Sequence, residues 1–262
     1  MRLLLLVLAV LAPAFARPAA AAVDLTGQNA VYDLTLAKVR THDLTGAIGQ
    51  MRFSVVDGCT GWGTTQHMVL LIRNADGSLT KTVTDYVTWE TKNGGELTFR
   101  LSEKDNDGKP VIDDAGIAIR SADGSGTITY STPANRVMTM PKGTLFPMAH
   151  TAAILKGGWE GRHFISVPLF DGTTSDGAQH TFVVILGHTA PAKSRFPDLA
   201  KQAGTRVNIA FYERKHADVN PDFRAQMLYY DNGVANDILM DFGDFVMRGR
   251  LVKLQIAPSY CK

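Results

Sequence analysis

The chain has 262 residues, 45% hydrophobic and 20% charged, with 27 basic side chains against 25 acidic. That balance, with no basic run, lacks the electrostatic footprint of a protein that binds nucleic acid or anionic headgroups. Two cysteines are too few for a disulfide-stapled miniprotein, so an apolar core must carry the fold.

Residues 1–22 read as an export signal. Arg2 supplies the positive start, Leu3 to Leu11 form an unbroken apolar run, and an alanine-rich stretch offers cleavage after Ala16 or Ala22. The run is about half the ~20 residues a membrane-spanning helix needs, so no transmembrane anchor is expected. Arg2 and Arg17 leave with the signal, and the mature chain carries equal numbers of acidic and basic residues. A soluble, periplasmic protein is expected, with residues 23–262 as one domain.

From Val23 onward, period-2 alternation dominates. Met51-Arg52-Phe53-Ser54-Val55 and Leu97-Thr98-Phe99-Arg100-Leu101 each place apolar side chains on one face of a strand. Val83, Val87 and Trp89 do the same within residues 82–91. Turn signals punctuate these runs at Asp76-Gly77, Asn93-Gly94-Gly95, Asp107-Gly108, Asp123-Gly124, Asp171-Gly172 and Asn232-Gly233. The runs amount to about twelve to fourteen strands joined mainly as an antiparallel meander, an all-β chain.

Two segments are apolar at consecutive positions, Met68 to Ile72 and Phe182 to Leu186. They are expected to be covered on both faces, by a helix or by a sheet that overlaps itself. Helical signal is confined to two places. Pro147 is a good first helical residue, Met148 to Lys156 can continue it, and Gly157-Gly158 is expected to end it. Pro197 to Ala203, closed by Gly204, is the second.

Residues that carry chemistry are scarce. The chain has no Gly-x-Ser-x-Gly elbow, no His-Glu-x-x-His pair and no phosphate-binding glycine loop. His42, His67, His150, His163, His180, His188 and His216 lack ligand spacing, although His180 and His188 bracket an apolar strand. Glu103, Asp105, Asp107 and Asp114 faintly echo a calcium loop, but Pro110 intervenes and no helix flanks them, so a hairpin turn is expected. Asp171 to Asp176 reads as a polar turn, and His150 as a residue bonded locally at the start of the first helix. No catalytic residue, metal ligand or cofactor site is assigned, and the chain is read as a non-enzyme.

Cys59 and Cys261 stand near opposite ends of the mature chain. In an oxidising compartment the pair points to one disulfide; two unrelated free thiols are the alternative. Closing so long a loop is worth about 5 kcal/mol in the chain-entropy model. The bond would bring residues 251–256 beside residues 51–56 and so close the fold. Trp62 is expected to pack on it. Phe211, Tyr212, Tyr229, Tyr230, Phe242 and Phe245 read as core, with some free to line a cavity in a curled sheet.

Four stretches resemble the EipB-like cell envelope integrity family: Tyr32 to Leu36; Gly49-Gln50-Met51 leading to Asp57-Gly58-Cys59-Thr60-Gly61-Trp62; Gly143 to Thr151 with Phe170-Asp171-Gly172; and Pro258-Ser259-Tyr260-Cys261. The second and fourth are the most specific. The third places Pro147, His150, Asp171 and Gly172 among the family-motif residues. The resemblance implies an antiparallel β-spiral or broken barrel, a Cys59–Cys261 disulfide, and a periplasmic role in envelope integrity without catalysis. It also implies a tetratricopeptide-repeat protein as partner. Its likeness to lipoprotein carriers raises lipid or lipoprotein acyl chains as an alternative cargo. A hydrolase of envelope polymers is a third reading, without a nucleophile to support it.

Overall fold

The computed structural model describes residues 23–133, 136–213 and 220–261. The expected signal, residues 1–22, lies outside them. Eight strands come first: β1 (Gln28–Val39), β2 (Leu44–Asp57), β3 (Gly61–Asn74), β4 (Leu79–Thr91), β5 (Glu96–Lys104), β6 (Pro110–Arg120), β7 (Gly126–Thr132) and β8 (Arg136–Met140). Helix α1 (Pro147–Trp159) follows. Then come β9 (Phe164–Leu169), β10 (Gln179–Thr189), β11 (Gly204–Tyr212), β12 (Phe223–Tyr230), β13 (Ala235–Asp241) and β14 (Phe245–Ile256). All fourteen strands form one antiparallel sheet in the spatial order 8-7-6-5-4-3-2-1-14-13-12-11-10-9. Chain start and chain end therefore meet in the middle of the sheet, and β8 and β9 are its two ends.

Several strands bury alternate residues, as in Leu97, Phe99 and Leu101 of β5. The sheet is curled. Leu70 of β3 and Val183 and Ile185 of β10 belong to one apolar core, although seven ladder steps separate their strands. A flat sheet would hold them tens of ångströms apart at about 4.8 Å per strand.

Helix α1 fills the inside of the curl. Ile154 joins the core with Val183, Val207 and Leu199, while its neighbour Leu155 packs with Leu25, Val55 and Trp62. Successive helical residues point about 100° apart, so α1 is gripped from two sides. This explains the helix-terminus expectation that fails. Gly157 and Gly158 are buried inside α1, which runs on to Trp159. A Cβ on Gly157 would come within 2.9 Å of the Ile165 and Ile185 side chains, and one on Gly158 within 2.2 Å of Thr205 Oγ1. The two glycines let the helix approach β9, β10 and β11. The second expected helix shrinks to a single 3-10 turn, Pro197–Leu199, which buries Leu199.

The sheet overlaps itself through connections rather than through paired end strands. Phe99, Tyr130 and Phe170 meet edge-to-face, with ring centroids 5.1–6.5 Å apart. Phe170 belongs to the segment between β9 and β10, so that segment lies on β5 and β7. Tyr86 donates to the Asp171 carbonyl, and Tyr130 to that of Thr174 at 3.0 Å. Asp171-Gly172 therefore starts a long docking loop and not the tight hairpin expected of it. Gly172, at φ +76°, lies directly under the Phe99 ring.

Two further expectations are corrected. The apolar run in β10 is not covered on both faces: Val183 and Ile185 are buried, but Phe182, Val184 and Leu186 face outward and are exposed. β14 does not lie beside β2, because β1 pairs with both; Gln28 bridges Ile256 and Val55. The Cys59–Cys261 disulfide, with Cα atoms 5.2 Å apart, thus joins the β2–β3 turn to the chain end across a single intervening strand. It staples the middle of the sheet and does not close the curl. Trp62 packs with Leu25, Val55 and Leu155. Trp89 covers the turn bearing Cys59, in space left by Gly58 and Gly61.

Candidate ligand cavity

The concave face of the sheet encloses a cavity of about 360 Å³, toward the lower end of the range that holds a small ligand. Its walls come from both directions along the sheet. Met51, Phe53 and Met68 stand on β2 and β3, Phe211, Met227 and Tyr229 on β11 and β12, and Met240 on β13. Met148 and Thr151 of α1 also line it. Methionines on several walls give a surface that adapts to irregular apolar shapes. Three of the aromatics singled out in the sequence, Phe211, Tyr229 and Phe242, line the cavity. Phe223 completes a chain of ring contacts from Phe211 through Phe242 to Phe245, with centroids 5.1–5.5 Å apart.

Among the described residues no Asp, Glu, Lys, Arg or His lines this space. Its polar groups are tyrosine and threonine hydroxyls and side-chain amides, and most are bonded to protein. Tyr32 donates to the Ala235 carbonyl at 2.8 Å, Thr151 to that of Pro147 at 3.1 Å, and Thr26 to that of Asn232 at 3.3 Å. Burial pushes the Tyr32 and Tyr229 hydroxyls above their ordinary values, so both stay neutral. Gln28 is the exception. Its Nε2 donates to the Gly233 carbonyl at 3.4 Å, and its buried Oε1 has no partner among the described residues.

The motif residues around α1 hold the cavity wall in place. Phe146 and Pro147 start the helix with no side-chain cap of their own. The cap comes from β4, where the Glu90 carboxylate accepts from the Met148 and Ala149 backbone N–H groups at 2.7 and 2.9 Å. Burial pushes Glu90 up to about 7, against the two N–H groups that favour its ionised form. His150 lies one turn on, with Nε2 3.1 Å from Thr181 Oγ1. That hydroxyl already donates to the Val167 carbonyl at 2.8 Å, so it accepts, and His150 Nε2 must carry the proton. Burial lowers His150 to about 4 and keeps it neutral. Its contacts are those of a strut between α1 and β10. Trp159 Nε1 ties the far end of α1 to Asp231 at 2.9 Å.

The remaining histidines that the structure describes are dispersed. His67 pairs with Asp85 at 2.6 Å on the exposed surface, His180 with Ser166 at 2.8 Å, and His188 with Thr205 at 3.1 Å. Asp105 folds back on the Asp107 and Lys109 backbone N–H groups at 2.9 Å in the β5–β6 turn. Among the described residues no three His, Cys, Asp or Glu side chains are grouped as a metal site. At the staple, Asp57 accepts from the Cys59 N–H at 2.9 Å and pairs with Lys92 at 2.6 Å, and Lys92 holds its carboxyl below the usual range. Lys92 also stands 4.6 Å over the Trp62 ring.

Glu90 and Gln28 were not singled out from the sequence. A glutamine opening the inward row Gln28, Ala30, Tyr32, Leu34 breaks the expected apolar pattern, and that break is the legible signal. Glu90 likewise occupies an inward position, four residues after Tyr86. Neither position declares its partner in sequence.

The overall fold recurs in a known protein. A crystal structure of a β-barrel-like protein of a domain of unknown function from Brucella abortus superposes with a TM-score of 0.82 at 28% identity, covering 90% of this chain and all of that one. The cell envelope integrity protein EipB of Brucella abortus (strain 2308) is 29% identical over 247 residues, covering 92% of this chain and 88% of the relative. No helix among the described residues is long and apolar enough to cross a membrane. The EipB-like family model matches residues 19–258, nearly the full length, and the chain belongs to the EipB-like family.

Proposed function

We propose that this protein supports cell envelope integrity from the periplasm, without catalysis, by holding an apolar ligand inside its curled sheet. The observation that carries this reading is the charge-free, methionine- and aromatic-lined cavity, a surface that offers dispersion and desolvation to an alkyl group and nothing to an ion. The envelope role is supported by the relative named for it, and the absence of catalysis by a family named for integrity rather than for a reaction. Lipid or lipoprotein acyl chains are the ligand class such a space suits. Ala235→Trp projects into the cavity from the start of β13 and tests the reading. The variant is expected to fold, to lose any apolar molecule that co-purifies with the wild type by mass spectrometry, and to fail in restoring envelope-stress resistance to a deletion strain. A wild-type protein free of apolar cargo, with Ala235→Trp restoring resistance in full, would sink the proposal.

A second reading, docking to a protein partner of the tetratricopeptide-repeat type, is favoured by a different observation. Phe164 stacks on Phe182 across the outer face of β9 and β10, with centroids 5.9 Å apart, and Val184 and Leu186 continue the exposed row. Large apolar side chains grouped on a surface are costly without a partner. If Phe164→Ser with Leu186→Ser abolishes stress resistance while Ala235→Trp is silent, this reading replaces the first.

A further inference from the structure

We infer that the outer face of β10–β14 docks on an anionic phospholipid surface, with the Phe164–Phe182 ridge among the acyl chains and Arg224 and Arg248 against the phosphates. The inference goes beyond the cavity, which lies on the opposite face of the sheet, and gives the exposed row of β9 and β10 a lipid occupant in place of a protein one. Its basis is the ladder register. Phe182 pairs with Ala210, Ala210 with Arg224, Arg224 with Asp241, Asp241 with Val246 and Val246 with Lys38, so these six stand in one row across the sheet. The next row runs from Val184 to Arg248 in the same way. Both rows face outward, since Val183 and Met247, their neighbours in β10 and β14, belong to the core.

One groove follows these rows, so their side chains address a common surface despite the curl. Among the described residues it is lined by four cations, Lys38, Arg40, Arg224 and Arg248, and one carboxylate, Asp241. Asp241 is taken by Arg40, whose Nη2 donates to it at 2.7 Å. Arg40, with the Gly243 N–H and Arg224 after it, holds the Asp241 carboxyl below its ordinary range. Lys38, Arg224 and Arg248 make no ion pair among the described residues. The groove therefore carries a surplus of positive charge that the near balance of the whole chain, 27 basic against 25 acidic, conceals.

Cations and apolar side chains are segregated, not interleaved. Phe164, Phe182, Val184 and Leu186 stand exposed at the β9–β10 end of the rows, and Arg224 follows two ladder steps, about 10 Å, from Phe182. A leaflet has the same order, because apolar side chains of interfacial proteins sink ~5–10 Å into the headgroup boundary while cations stay with the phosphates. Long arginine side chains reach such a layer without a partner of fixed shape. An acidic protein is the competing occupant, and it would have to mirror this segregation with side chains of its own.

The test is flotation of the mature protein with vesicles of phosphatidylcholine alone, and of phosphatidylcholine with about one third phosphatidylglycerol. The wild type is expected to float with the anionic vesicles and to bind the neutral ones roughly tenfold more weakly. Arg224→Gln with Arg248→Gln should lower binding to the anionic vesicles roughly thirtyfold at low salt, about fivefold for each cation. Phe164→Ser with Phe182→Ser should also lower it; if that pair fails to fold, the arginine pair decides. Lys104→Gln with Lys109→Gln removes the same charge from exposed positions around the β5–β6 turn and should change nothing. Equal flotation with both vesicle types would overturn the inference, as would equal losses from the arginine and lysine pairs. No flotation with either vesicle would overturn it too and leave the face to a protein. Binding of the apolar probe N-phenyl-1-naphthylamine reports the cavity and should be the same in the wild type and the arginine pair, so the two readings fail separately.

Discussion

Two devices tie distant parts of this chain together, and they act on different parts of the sheet. The Cys59–Cys261 bond is covalent, yet it joins segments that the β2–β1–β14 ladder already holds two strands apart. Helix α1 is non-covalent, yet its Ile154 and Leu155 reach two separate apolar clusters, one of which spans β3 and β10, and its first turn is capped from β4. The bond reinforces order that hydrogen bonding already supplies. The helix supplies the curvature, and with it the cavity. A covalent link restrains the denatured chain most strongly, whereas a shape such as this curl is set by what packs inside it.

The largest expected effect tests the helix. Ile154 is fully buried, so Ile154→Ala should cost about 4 kcal/mol. Hydrogen exchange should rise first in α1 and the β9–β10 loop while β1, β2 and β14 stay protected; uniform loss across the sheet would refute the division drawn here.

The pH dependence comes next. The native state keeps His150 neutral down to about 4, while the unfolded chain takes up the proton near 6.5. The unfolded state thus binds more protons between those values, and stability falls as pH drops through them, by about 3 kcal/mol in total. Glu90 works in the opposite sense. Native Glu90 keeps its proton up to about 7, against 4.5 unfolded, so its contribution is lost as pH rises through that window. The two oppose each other between pH 4.5 and 6.5. Urea titrations should therefore show a flatter profile for the wild type than for either His150→Gln or Glu90→Gln, with slopes of opposite sign in the two variants.

The staple should matter less. Cys59→Ser or Cys261→Ser is expected to cost about 2–3 kcal/mol and to free residues 257–261 for proteolysis. Probe binding in the cavity should be unchanged, because none of its lining residues belongs to the stapled turn. Alkylation of both thiols without prior reduction would show that the bond does not form. The smallest effect belongs to the helix cap. At pH 5, where Glu90 is mostly protonated, Glu90→Gln should cost about 1 kcal/mol.

Much of the fold was legible. Alternation such as Leu97, Phe99, Leu101 and turns such as Asn93-Gly94 mark strands and hairpins because a half-buried strand needs a period of two and a tight turn needs positive φ. The site was less so. Gln28 shows only as an interruption of an apolar row, and Glu90 as one more charge in a strand, because each is defined by a partner far along the chain: Gly233 for one and the helix N-terminus for the other. The β10 run misled, since Phe182, Val184 and Leu186 look like a second buried face and are exposed. Gly157-Gly158 misled for a related reason: the residue that ends a helix in isolation also lets one pack closely.

By itself the sequence determined an all-β antiparallel chain, the helix beginning at Pro147, and a lone pair of cysteines suited to a bond, because each of these follows from local periodicity, backbone preference or residue chemistry. Only the tertiary structure decided that the sheet curls around α1, that the disulfide staples its middle, and that a cavity lined by no charged side chain among the described residues lies inside the curl. Those features depend on which residues meet across seven ladder steps, and curvature accumulated over many strands is not written in any one of them.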